Sequence, residues 1–271
     1  MMTRLNDELV KDIVGSLDAT NEAMREMTGM DMFELACDAN GVDPGKVRME
    51  GIKAGVVPVT SGLGVISKFS ESVAGIVGRL GMDPFVTAGY DVTGFTEAIS
   101  KGAEIVFMAD DTTFMAYNVK AGMLSNNSFS TAAGYVSALR GAAKGLVGRN
   151  VLIMGAGRVG GIAAGMLTDM GAKVSIYDID LGRTMALVDR YGATPMDDAN
   201  AAVESHDLIL NASPAHIPGR CIRDGSIISS PGIPHDYDME GRRKAMIIHN
   251  PLDIGVAVMA VQSTLFLSQS H

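Results

Sequence analysis

Tryptophan is absent from the 271 residues, aromatic residues of all kinds come to 5 %, and there are only two cysteines, Cys37 and Cys221. Two isolated cysteines give neither a metal-ligand spacing nor a disulfide framework, so they read as inert, partly buried thiols in a reducing compartment. His206, His216, His235 and His249 likewise share no ligand spacing, and no metal is expected. No apolar run reaches the roughly 18 residues that a membrane span needs. The opening MMTRLNDELV carries charges where the apolar core of a signal segment would stand, so a cytoplasmic protein is expected. Basic residues are outnumbered, 22 against 31 acidic, for a net charge of −9. That balance excludes a nucleic-acid binder, which needs a basic face. Also missing are the Tyr-x-x-x-Lys acid–base pair, a cysteine–histidine nucleophile arrangement and a P-loop.

What is present is globular composition, 47 % apolar and 20 % charged, over a length that suits about two domains. Methionine, at 19 residues, serves as flexible core filler. Leu5, Leu9, Ile13 and Leu17 line one face of a first helix. Asp31 with Glu34 forms a capping-box signature for a second, and GVDPG (41–45) breaks it. Segments 55–60, 84–88 and 104–110 then read as strands alternating with helices, which is the pattern of a parallel sheet. Ligands of such sheets bind beyond the carboxyl ends of the strands, which puts Thr60–Ser61 and Asp110–Asp111 on one functional edge. An Ala/Gly-rich helix over 130–146 leads to a second series of strands at 150–154, 173–178, 207–211, 226–230 and 246–249. Ile254, Val258, Val261 and Leu265 predict a closing helix. The expected organisation is α/β throughout: a helical and parallel α/β substrate domain over 1–145, then a Rossmann dinucleotide-binding domain over 146–271.

Gly155-x-Gly157-x-x-Gly160 carries the cofactor argument. The first glycine permits the tight turn, the second lets a pyrophosphate approach the backbone, and the third lets helix and strand pack closely. Arg158 and Val159 lie inside this loop. Asp178 follows 18 residues after Gly160 at the next strand end, positioned to bind ribose hydroxyls and repel a 2′-phosphate, which favours NAD. Asp180 competes for that role, and Arg183 could serve a phosphate. Asn211, Ser213 and Pro214 would pass beneath the ribose, and Pro231 with Gly232 would approach the nicotinamide; ordinary turn chemistry explains the same residues. Asp110–Asp111 reads two ways. A surface turn accommodates two aspartates, whereas adjacent carboxylates in a poorly solvated cleft raise one another's proton affinity and suit a general base. Asn126–Asn127 reads as a loop whose amides could hold a polar group.

GVVPVTSGLG (55–64), Gly81–Met82, DVTGFTEAISKGAEIVFMADDTTFMAYN (91–118), Asn126–Asn127 and SSPGIP (229–234) together resemble the pyrrolysine synthases. The resemblance spans nearly the whole chain. It implies a homodimeric NAD-dependent dehydrogenase of methanogenic archaea and some bacteria, performing the last step of pyrrolysine biosynthesis. The implied substrate is lysine joined through its ε-nitrogen to 3-methyl-D-ornithine. Its terminal amine is oxidised to an imine, hydrolysed to an aldehyde, and cyclised to a pyrroline. The resemblance assigns Asp110 to proton relay, Asn127 to substrate contact, and the N-terminal helix around Leu5 to closing the site; Thr60, Ser61 and Asp111 join as substrate-side candidates. Another NAD-dependent amine or amino-acid dehydrogenase, and a non-catalytic NAD-binding sensor, are the competing readings.

Overall fold

The computed structural model describes Val10 and residues 12–268, so Leu5 lies outside the described residues. The chain forms two compact units. The first runs up to Ala23, then takes Asp31–Ser130 and everything from Pro251; the second takes Met24–Met30 and Thr131–Asn250.

In the first unit, α1 (Ile13–Thr28) precedes α2 (Met32–Ala39). The capping box at Asp31 forms as expected: Glu34 N–H donates to Asp31 Oδ1 and Asp31 N–H to Glu34 Oε2, both at 2.8 Å. Then follow β1 (Lys53–Val57), α3 (Phe69–Arg79), β2 (Asp83–Val86), α4 (Asp91–Ser100), β3 (Ile105–Ala109), β4 (Phe114–Asn118) and β5 (Met123–Asn126). The sheet order is β2-β1-β3-β4-β5. β1 pairs in parallel with β2 and β3, while β4 and β5 are antiparallel. The sheet is therefore mixed rather than wholly parallel. A turn over 110–113, closed by Asp110 N–H on Thr113 O at 2.9 Å, reverses the chain directly after β3. β4 alternates buried and half-buried residues as a sheet strand with one face inward does. Asn126 consequently ends a strand, and Asn127 begins α5 (Asn127–Ala142); neither lies in the loop read from LSNNS.

The second unit is doubly wound. It contains β6 (Asn150–Met154), α6 (Arg158–Asp169), β7 (Lys173–Tyr177), α7 (Leu181–Tyr191), β8 (Thr194–Pro195), α8 (Ala199–Glu204), β9 (Leu208–Asn211), β10 (Ser226–Ser229), α9 (Met239–Lys244) and β11 (Ala245–Ile248). Every pairing is parallel, in the order β8-β7-β6-β9-β10-β11, with the switch point between β6 and β9. β6 shows why its sequence is an unbroken apolar run. Val151 and Ile153 enter one core with Leu167 and Ile176, while Leu152 and Met154 enter the opposite core with Ile209 and Ile228.

The closing helix α10 (Asp253–Ser268) belongs to the first unit, where the expected boundary had put it with the second. It packs against α2, α3, β4 and β5. Ile254 and Val256–Val261 are fully buried, so the helix is apolar on all sides and its spacing cannot reveal which sheet it joins. Polar contacts fix its place: Asn118 donates from Nδ2 to Ser263 O at 2.8 Å, and Ser125 and Ser263 share a 2.8 Å hydroxyl contact. Asn118 is fully buried and its Oδ1 also accepts from Ala121 N–H at 2.8 Å. Removing a buried amide strands these partners, so Asn118→Ala is expected to lower stability by about 2–3 kcal/mol in urea unfolding; a loss near zero would contradict this role.

Candidate active site

The three loop glycines are required for three different reasons. Gly155 sits at φ +97°, and a Cβ there would stand 3.0 Å from Ala212 O. A Cβ at Gly160 would fall 1.9 Å from Gly155 O, so α6 can lie this close to β6 only without a side chain. Gly157 has nothing within 4 Å of its Cβ position. It is the N-cap of α6 and offers no side-chain cap, leaving the first N–H groups of the helix open to an anion. Arg158 follows on the exposed side and Val159 is half-buried.

Asp178 is tied into the same turn: Oδ2 accepts from Ala156 N–H at 2.6 Å and Oδ1 from Asp180 N–H at 2.8 Å. Asp180 caps α7 and pairs with Arg183 at 3.2 Å, an arrangement of ordinary helix-start chemistry. On the neighbouring strand end, Asn211 is buried and serves its own unit. It donates to Tyr237 Oη at 2.9 Å and accepts from the Ser213 hydroxyl at 2.7 Å. Ser213 is half-buried and Pro214 exposed. Gly232 is a close-approach position, since its Cβ would lie 2.1 Å from Ser213 O, and Pro231 before it is half-buried. The β9 and β10 loops therefore lie against each other. These residues fit a dinucleotide: an open helix N-terminus, a carboxylate at the β7 end, and stiff loops at the β9 and β10 ends.

The histidines divide. His206 is satisfied in the core by Ala202 O at 2.8 Å and Ser175 Oγ at 3.0 Å, and His216 pairs with Asp236 at 3.0 Å. His235 and His249 stack, with ring centroids 3.9 Å apart, and Tyr237 lies 4.9 Å from His235. His249 Nδ1 donates to Ser230 O at 2.8 Å. Burial, then the neighbouring His249 and Arg242, pushes His235 down to about 4; burial also lowers His249. Both shifts favour the neutral rings, and the two residues lie 14 positions apart, so no local pattern marks the pair.

In the first unit, the parallel strands and the β4–β5 hairpin bring Thr60–Ser61, Asp91, Asp110–Asp111 and Asn127 to one edge of the sheet. Asp110 is exposed, and all three of its side-chain bonds converge on Oδ1: Thr112 N–H at 2.7 Å, the Thr112 hydroxyl at 2.8 Å and Thr113 N–H at 2.7 Å. These donors hold its carboxyl below the ordinary aspartate range. The expectation that Asp111 and poor solvation would raise its proton affinity is therefore corrected. Asp111 Oδ2 accepts from Leu63 N–H at 2.7 Å. Asp91, missed in the sequence, accepts from both the N–H and the hydroxyl of Thr60. Asn127 is half-buried at the first position of α5, and Ser61 is exposed.

Residues 9–125 match the model of the pyrrolysine biosynthesis protein PylD, N-terminal domain, and residues 121–222 that of the alanine dehydrogenase/PNT C-terminal domain. The pyrrolysine synthase of Methanosarcina acetivorans is 36 % identical over 262 residues, 95 % of this chain and 98 % of the relative. This chain belongs to the pyrrolysine synthase family. The Methanosarcina barkeri member is 35 % identical over 93 % of this chain and 94 % of its own length. Outside the family, the fold resembles that of quinate dehydrogenase from Corynebacterium glutamicum in complex with NAD (TM-score 0.55, 15 % identity, 81 % of this chain and 94 % of that one). It also resembles shikimate 5-dehydrogenase from Thermus thermophilus in complex with NADP(H) and shikimate (TM-score 0.54, 12 % identity, 81 % and 100 %).

Gly157→Ala is expected to fold with stability within ~1 kcal/mol of wild type, the cost of alanine at an N-cap, yet to bind a dinucleotide at least about tenfold more weakly because its methyl occupies the pyrophosphate approach. Gly160→Ala should be destabilised first; fluorescence titration with reduced cofactor and thermal melting separate the two, and the reverse ranking would contradict these assignments. His235 gives a pH signature. Between the ordinary histidine value and about 4, the unfolded chain takes a proton that the folded chain refuses, so stability falls as pH falls through that window. His235→Phe keeps an aromatic ring on His249 and should flatten this dependence; an unchanged slope in urea unfolding at successive pH values would contradict it.

Proposed function

We propose that this chain is a pyrrolysine synthase using NAD: it oxidises the terminal amine of lysine-Nε-3-methyl-D-ornithine and delivers the pyrroline ring. The observation that carries this reading is the end-to-end match, because the 36 % identity covers both units and nearly the full length of a relative of that name. Asp178 supports NAD over NADP, since its carboxylate would repel a 2′-phosphate. Arg183, which could serve a phosphate, is engaged by Asp180.

The bound dinucleotide would supply the hydride acceptor. The chain's own groups handle charge and position. Asp110, ionised and exposed, attracts the terminal ammonium; Oδ1 is taken by Thr112 and Thr113, which leaves Oδ2 toward the amine. One ammonium proton leaves by way of this carboxylate to solvent, and the adjacent carbon then gives up hydride, leaving a protonated imine. Water adds and ammonia departs to give the aldehyde. The ornithine α-amine condenses with it, losing water, in an intramolecular step that gains strongly from proximity. Asn127, Thr60 and Ser61 are the polar contacts on the same edge. A homodimer is inferred from the sequence resemblance, in a reducing, cytoplasmic setting. Cys37 suits that setting, its thiol pushed up to about 12 by burial and then by Asp31, Asp43 and Glu34.

Asp110→Asn is expected to cut kcat by ~10²-fold or more, the usual scale for a positioned proton acceptor, while cofactor affinity stays within about twofold because Asp110 lies outside the glycine loop. Full turnover in Asp110→Asn would sink the assignment. In the wild type, Asp110 should contribute no inflection to kcat/KM between about pH 5 and 8, since its carboxyl stays ionised below the usual aspartate range.

A further inference from the structure

Two aspartates far apart in sequence hold the ends of one short loop. Thr60 donates its N–H to Asp91 Oδ1 at 2.8 Å and its hydroxyl to Asp91 Oδ2. Leu63, three residues on, donates its N–H to Asp111 Oδ2 at 2.7 Å. The loop's own closing bond, Gly64 N–H to Ser61 O, is 3.4 Å long and weak. Asp91 reaches Thr60 from a left-handed backbone, φ +52°, uncommon for a residue with a side chain. Its N–H is fixed on Pro58 O at 3.0 Å. A strained conformation of this kind persists where the surroundings over-determine it. Contact on the other side is equally close, since a Cβ at Gly62 would stand 2.1 Å from Asp111 Oδ2.

The held loop presents apolar groups to solvent. Leu63 is 74 % exposed, Val65 is exposed, and Tyr90 and Val92 on either side of Asp91 are exposed at 52 % and 78 %. Tyr90 and Val92 flank Asp91 in the chain and Leu63 is hydrogen-bonded to Asp111, so these exposed apolar groups lie beside carboxylates. A ligand with amines separated by methylenes matches both: the acidic groups meet the amines, and the apolar side chains cover the chain between them.

We propose that Asp91 and Asp111 are positioning residues for the synthase reaction, holding the 60–64 loop so that Leu63 covers the methylene stem of the isopeptide while Asp110 is left for its reacting amine. The proposal rests on the function proposed above. It reassigns Asp111, which acts through the hydrogen bond it accepts and not as a charge on the substrate.

The test is steady-state kinetics with the isopeptide and NAD, combined with amide exchange at Leu63. Asp111→Ala should raise KM for the isopeptide about tenfold, change kcat less than about threefold, and speed exchange of the Leu63 amide. Asp111→Asn keeps an accepting oxygen and should bring KM back to within about threefold of wild type. If Asp111→Asn is as damaging as Asp111→Ala, the charge touches substrate directly and the proposal is overturned. An unchanged KM in Asp111→Ala overturns it as well. Should Asp111→Ala fail to fold, Leu63→Ala leaves both carboxylates in place and must raise KM by itself; an unchanged value there also overturns the proposal. Absence of any wild-type turnover removes the underlying function and this inference together, whereas wild-type turnover with a failed Asp111 series removes the inference alone.

Discussion

Parallel strands bring their carboxyl ends to one edge, and every candidate group in both units depends on that constraint. In the first unit it gathers Thr60 after β1, Asp91 after β2 and Asp110 after β3, and the hairpin returns Asn127 to the same edge. In the second it gathers the glycine loop, Asp178, the Asn211–Pro214 turn and the Ser230–Gly232 turn. Neither set is close in sequence. Each set is a candidate site because ligands of parallel sheets bind beyond the carboxyl ends of the strands.

Within that frame, hydrogen-bond partners decide what each carboxylate does. Asp178 and Asp180 are two positions apart, yet one is tied to the glycine turn and the other caps a helix and engages Arg183. Asp110 and Asp111 are adjacent, yet one is held ionised by its own turn while the other grips Leu63. The proton affinity of Asp110 is set by donors from Thr112 and Thr113, which outweigh the expected effect of a charged neighbour. A low-affinity carboxylate suits electrostatic capture of an ammonium and release of its proton to water better than storage of that proton.

Local, periodic features were legible from sequence. The capping box, the strands at 150–154 and 226–229, the helix at 181–191 and the glycine fingerprint all follow from nearest-neighbour chemistry. Four features were not, each for a physical reason. The β3–β4 hairpin turns on Asp110–Thr113, which contains no glycine or proline to mark it. The closing helix is buried all round, so its periodicity names no partner sheet. Asp91 works through a hydrogen bond to a residue 31 positions earlier, and the His235–His249 stack through a ring contact across two strand ends. Long-range pairings of this kind leave no periodic trace in the chain.

Mass spectrometry of the purified chain with lysine-Nε-3-methyl-D-ornithine and NAD reads the reaction itself. A product lighter by two hydrogens and one ammonia is expected, formed with stoichiometric reduced cofactor and at least about a hundredfold more slowly in Asp110→Asn. An unchanged substrate mass under conditions where the dinucleotide is bound would contradict it.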